Sequence, residues 1–148
     1  MSGMVLANVS AVRIGGRVLL IEGAPGAGKS SLALALIDRG AELVGDDAVS
    51  VAIEGAALVA SPPPNTAGLI EVRNVGIVEM PATSGPVALV IVLDSAAPRY
   101  PMDVATRDIA GVAIPALPFA TGDTIAALRA EHALARHGLP LPNPTQKA

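Results

Sequence analysis

The 148-residue chain has no cysteine, which excludes disulfides and thiol chemistry and fits a reducing, cytoplasmic setting. Aromatic residues are almost missing too. Only Tyr100 and Phe119 are present, so a core must come from Val, Leu, Ile and Ala, which help make 51% of the chain apolar. There is no excess of positive charge. The net charge of −3 argues against a nucleic-acid partner. No uninterrupted apolar run reaches the ~18–20 residues of a membrane span. The N-terminus lacks the basic region and apolar stretch of a signal peptide, and no internal repeat is found. Lysine is scarce: Lys29 and Lys147 are the two, and the second lies in a terminal tail. A chain that otherwise uses arginine for its cations keeps one lysine in its body.

That lysine belongs to Gly23-Ala24-Pro25-Gly26-Ala27-Gly28-Lys29-Ser30, which fits the phosphate-loop pattern G-x-x-x-x-G-K-[ST]. The apolar run Val18–Ile21 before it reads as a buried strand, and Ser31–Ile37 after it as a helix. Strand, loop and helix are the context the motif requires. Glycines let the loop turn so that backbone N–H groups converge, and the helix N-terminus adds partial positive charge. Gly23 through Ser31 are therefore the candidate nucleotide-binding residues, with Lys29 on the outer phosphates and Ser30 on Mg²⁺.

The rest reads mostly as strands. Val5–Ile14 is one strand, turned by Gly15-Gly16 into Val18–Ile21. The first helix runs to about Arg39, with Gly40 in the C-cap role. Short strands follow at Glu42–Val44, Val49–Ile53 and Ala57–Ala60, then an extended stretch from Leu69 that Asn74 interrupts and Gly76 resumes. Pro86–Leu93 is apolar enough for a central strand. Asp94–Asp103 is a loop, and Ile109–Leu117 a further strand region. A last helix is capped by Thr121 or Asp123, with Ile125, Leu128 and Leu134 on its apolar face. His132 and His137 on this helix read as surface residues, since their spacing is not that of a helical metal site. Residues 1–141 form one domain, and 142–148 a loose tail. Many strands joined by two- or three-residue turns, with two helices, predict an α/β fold on a mixed, largely antiparallel sheet.

Two further constellations carry chemistry. Asp46-Asp47 ends a strand, so the two carboxylates point to different sides. One could face Mg²⁺ or a water and the other an incoming hydroxyl as general base, although an exposed acidic turn fits the same residues. In Glu71-Val72-Arg73, extended geometry puts Glu71 and Arg73 on one face. On spacing alone a surface ion pair is the simpler reading there.

Taken together, Gly23–Ser30, Arg39-Gly40-Ala41, Asp46-Asp47 and Gly68–Ile77 resemble the catalytic domain of HPr kinase/phosphorylase, over roughly Asn8 to Gly76. The resemblance implies a mixed phosphate-loop fold similar to that of phosphoenolpyruvate carboxykinase. It implies ATP and Mg²⁺ as cofactors and a serine of an HPr-like phosphocarrier as acceptor. It also implies a cytoplasmic homo-oligomer, a hexamer in the family, in its short, catalytic-domain-only form. Lys29 then binds phosphate, Ser30 and Glu71 ligate Mg²⁺, Asp47 takes the serine proton with Asp46 assisting, and Arg99 matches a catalytic arginine. Three departures stand out. Asn8 replaces a family histidine and cannot carry a proton. Asn74 replaces a glycine but tolerates a left-handed backbone. Ile114–Asp123 lacks the Gly-Arg-Asn segment that supports phosphorolysis of phosphoserine, so weak or no phosphorylase activity is expected. A small-molecule kinase and a nucleotide-binding sensor without transfer are the alternatives.

Overall fold

In the computed structural model, residues 3–101 and 103–142 are described. Of the tail assigned to 142–148, only Pro142 falls within them; the rest, including Lys147, lies outside.

The sheet begins with β1 (Met4–Ala7), β2 (Val9–Ile14) and β3 (Arg17–Glu22). The single strand expected over Val5–Ile14 is thus two. Asn8 sits between them with φ 62°, a left-handed conformation that ends one strand before the other starts. Gly15 and Gly16, with φ 57° and 89°, form the two-residue turn that pairs β2 with β3. Positive φ at both positions is what such a hairpin needs. Helix α1 (Lys29–Asp38) follows the loop, and Gly40, at φ 113°, donates its N–H to the Ile37 carbonyl, as the C-cap reading required. Next come β4 (Glu42–Gly45), β5 (Ala48–Glu54) and β6 (Ala57–Ser61). The stretch from Leu69 is a separate two-stranded hairpin, β7 (Leu69–Val72) and β8 (Gly76–Glu79), with Ile70 fully buried beneath it.

Strand β9 (Gly85–Leu93) is central, as its apolar run predicted. One edge pairs in parallel with β3; the other pairs with β6 at its start and, in parallel, with β11 (Val112–Phe119) at its end. The strand order is β1-β5-β6-β9-β3-β2-β4, with β10 (Ala105–Ile109) on the outer side of β11. Only β3–β9 and β9–β11 are parallel among the strand pairings of the described residues. The expectation of one strand region at Ile109–Leu117 is corrected. The chain reverses at Ala110-Gly111, with φ 54° and 89° and the Asp108 carboxylate accepting the Gly111 N–H at 2.8 Å. An alanine in that conformation carries no turn signal in the sequence.

Alternation places Leu19 and Ile21 of β3 on one face of the sheet and Val18 and Leu20 on the other. The first face packs against Leu32, Ala33 and Leu36 of α1 and Ala127, Ala130 and Leu134 of α2 (Ala126–His137). The second packs on Val49, Val51, Leu58, Ile109 and Ile114 from the antiparallel strands. Both faces of β3 and β9 are therefore buried, with Phe119 as the one aromatic side chain in the two clusters. The capping of α2 differs from expectation. Its N-cap is Ile125, with no side-chain cap bond, and Asp123 instead lies 3.5 Å from Arg129. The buried face of α2 is Ala127, Ala130 and Leu134, spaced i, i+3, i+7, so Leu128 (36% exposed) and the N-cap Ile125 (51%) lie off it and only Leu134 of the expected trio is buried.

Strand directions now define a rim. β3, β4, β9 and β11 all run the same way, so Glu22, Gly45, Leu93 and Phe119 end at one edge of the sheet. The carboxyl ends of parallel strands are where α/β folds hold their ligands.

Candidate active site

The phosphate loop leaves that rim directly after β3. Gly23 begins it in a tight place: a Cβ there would lie 3.2 Å from both Ala27 Cβ and Leu93 Cβ. Gly26 (φ 83°) and Gly28 (φ 103°) take left-handed conformations, and Gly28 is the N-cap of α1 without any side-chain cap. The first turn of α1 therefore keeps its N–H groups for an anion. Lys29 is 7% exposed, and its Nζ donates to the carbonyls of Gly23 (2.8 Å) and Ala24 (3.2 Å). An ammonium has three donors, so one remains for a phosphate oxygen.

Asp46 is the hub of the site. Its Oδ1 accepts from the hydroxyls of Ser30 (2.6 Å) and Ser10 (2.9 Å), and its Oδ2 from the backbone N–H of Glu71 (3.0 Å). Three segments distant in sequence thus meet on one carboxylate. Gly45 sets its position, because a Cβ at that residue would overlap the Ala48 carbonyl oxygen. Asp47 follows in a left-handed conformation, φ 62°, and is exposed. Its N–H donates to Ser10 Oγ at 3.3 Å, and its carbonyl accepts the Asn8 N–H at 2.9 Å. A non-glycine residue so held is tied in place from both sides, which fits a side chain aimed for use. The two carboxylates do point apart, as read from their spacing: Asp46 inward to three donors, Asp47 into the open.

A cleft of about 630 Å³ collects these groups. Pro25, Gly26, Gly28, Lys29, Ser30, Ser31, Asp46, Asp47 and Glu71 line it, while Gly23, Ala24 and Ala27 shape the loop behind. The turn Arg73-Asn74-Val75 closes one side, with Asn74 at φ 68°, the left-handed backbone it was read to tolerate. Arg73 lies in that turn rather than in β7, and no ion pair joins it to Glu71 among the described residues. Arg99 is elsewhere: it lines a separate groove with Phe119, Arg129 and Arg136.

Sequence reasoning missed Ser10. It is fully buried, and it and Lys29 are the buried polar or charged residues among those described. The signal was a lone hydroxyl inside the apolar run Val9–Val12. The oxygen set of Ser30, Asp46 and Glu71 suits a hard cation such as Mg²⁺, which prefers oxygen ligands and keeps several waters. Two carboxylates and a hydroxyl fall short of a closed protein cage, and no group of three acidic or histidine ligands occurs among the described residues. That fits a metal shared with substrate phosphates.

Fold and site together define a phosphate-loop protein on a mixed, largely antiparallel sheet. Residues 4–136 match the family described as HPr Serine kinase C-terminal domain, and the chain belongs to it. It is 47% identical over 74 residues to HPr kinase/phosphorylase of Clostridium acetobutylicum, covering 50% of this chain and 24% of that protein. With the enzyme of the same name from Clostridium tetani it shares 50% over 68 residues, 45% of this chain and 22% of the other. The matched stretch thus spans about a quarter of those relatives. The structure of the Hpr(Ser) kinase/phosphatase from Coxiella burnetii superimposes with a TM-score of 0.78 at 28% identity, covering 93% of this chain and 96% of that one.

Proposed function

We propose that this chain is an ATP- and Mg²⁺-dependent protein-serine kinase acting on an HPr-like phosphocarrier of the phosphotransferase system, in a regulatory role. The observation that carries the proposal is Asp46 joining the Ser30 hydroxyl to the Glu71 backbone beside an exposed Asp47. Lys29 and the uncapped α1 N-terminus hold the outer phosphates. Ser30, Asp46 and Glu71 would hold Mg²⁺, which would supply charge neutralisation at the phosphate oxygens. Asp47 accepts the proton of the acceptor serine as its oxygen attacks phosphorus and ADP leaves. Ser10 fixes both aspartates, accepting from one backbone and donating to the other side chain.

Asn8 favours a second reading, a nucleotide-binding sensor without transfer, because an amide cannot carry a proton where the family has histidine. Transfer of labelled phosphate from ATP to purified HPr-like protein separates the two: incorporation on serine supports the kinase, and ATP binding without incorporation supports the sensor. In the reverse assay, phosphoserine HPr-like protein with inorganic phosphate should lose phosphate slowly or not at all, since Ile114–Asp123 lacks the Gly-Arg-Asn segment. No helix among the described residues is long and apolar enough to cross a membrane. A cytoplasmic location and a hexameric assembly belong to the same proposal; light scattering tests the second.

A further inference from the structure

The groove that takes Arg99 is the most basic feature of an acidic chain. It measures about 460 Å³ and is lined by Arg99, Arg129, His132, Arg136 and His137, with Asp123 as its one carboxylate. Three of the eight arginines and both histidines of a chain with net charge −3 thus converge on one surface. Asp123 is matched by Arg129, whose guanidinium also donates to the Ala120 carbonyl at 2.9 Å and stacks over the Phe119 ring at 4.5 Å. Arg129 is therefore part of the groove's floor. Arg99, His132 and Arg136 are exposed and make no ion pair among the described residues. Elsewhere on the surface the pattern differs. Arg13, Arg39 and Arg107 each face a glutamate and Arg17 holds the Leu139 carbonyl, while Arg73, in the turn beside the cleft, is the one other exposed arginine without an ion pair among the described residues.

Place gives this charge a use. The groove is built from the loop after β9, the end of β11 and helix α2, on the same rim as the phosphate loop. β11, β9 and β3 are neighbours, so groove and loop stand two strand spacings apart, roughly 10 Å. A protein bound over the groove sits on the rim that also carries the phosphate loop. Solvated, unpaired arginines at the edge of a reaction site speed encounter and orient a partner of opposite charge.

We propose that this groove docks an acidic surface patch of the acceptor protein, and that Arg99, His132 and Arg136 serve recognition of that protein rather than the phosphoryl group. The inference rests on the kinase reading above and names how that site chooses its substrate. Salt weakens this contact more than it weakens nucleotide binding, because exposed charges are screened and the semi-enclosed loop is screened less.

The test is steady-state transfer to purified HPr-like protein by the full chain, with nucleotide affinity followed separately by a fluorescent ATP analogue. Arg136→Glu and His132→Glu should raise the KM for the acceptor ~10-fold or more, about one tenfold step per 1.4 kcal/mol of lost contact. Their kcat and nucleotide affinity should stay at wild-type values. Arg136→Gln, milder for the helix, should show a smaller rise in the same direction. A lysine substituted for an acidic residue of the acceptor should rescue transfer by Arg136→Glu. Unchanged acceptor KM in both glutamate variants overturns the proposal. So does loss of self-association in sedimentation, which makes the groove an interface between copies of this chain. Arg99→Ala lowering kcat with KM unchanged returns Arg99 to catalysis and overturns its docking role. If the wild-type chain binds ATP but transfers to no HPr-like protein, the kinase reading falls and this one with it; wild-type transfer with unaltered variants defeats the groove alone.

Discussion

The cleft around Asp46 and the groove around Arg99 share one rim of one sheet and are built on opposite plans. In the cleft Lys29 is tied to two carbonyls, Asp46 to three donors, and Asp47 to its neighbours through both backbone groups. In the groove Arg99, His132 and Arg136 stand in solvent. Preorganised dipoles aimed at developing charge lower a barrier because they need not reorganise during reaction. Solvated charges do little for a barrier but act at a distance on a partner that has yet to arrive. On the proposed reading, the difference separates chemistry from recognition in a chain short of cations.

The comparison breaks most sharply at Lys29. Lys29→Ala removes the one lysine of the folded body, so ATP binding should weaken strongly. Loss of such a donor alone costs about 10²–10³ in rate, so transfer should fall below detection; filter binding and a transfer assay check both. Unchanged affinity and activity would end the phosphate-loop reading. Asp47→Asn keeps shape and removes the proton acceptor, so transfer should fall ~10²–10⁴-fold with ATP binding unchanged or slightly tighter. Asp46→Asn should cost less in transfer and should raise the Mg²⁺ concentration required, since it weakens the oxygen set shared with Ser30.

Ser10→Ala tests whether the cleft is held as tightly as its contacts state. It strands the Asp47 N–H and removes a donor to Asp46, a loss of about 1.5–3 kcal/mol, read as a lower Tm and reduced transfer together. A fall in Tm with full activity would make Ser10 a core residue only. The smallest effect lies in the salt response. Added salt should raise the acceptor KM a few-fold and leave ATP affinity nearly flat. Equal sensitivity of the two would erase the distinction drawn between cleft and groove.

Much of this was legible in the residues. The glycines, Lys29 and Ser30 between an apolar run and a helical one marked the loop, because only that order of residue types turns backbone amides toward an anion. Short turns between strands marked the antiparallel sheet. The break at Asn8 and the reversal at Ala110-Gly111 were not legible: left-handed residues other than glycine are chosen by what surrounds them. Ser10 was read as part of an ordinary strand, because a hydroxyl declares its function only through the groups it meets.

The order of residue types specified the phosphate loop, the cap at Gly40, the central strand and the paired aspartates, all of which rest on contacts a few residues long. The folded chain alone brings Asp46 to Ser10, Ser30 and Glu71, and puts Arg99 in a separate groove from Lys29. Those outcomes depend on which strands lie side by side and which way they run. β9 brings residues some seventy positions from β3 to the same rim. Nothing local in the chain encodes that meeting; burying both faces of β3 and β9 at once does.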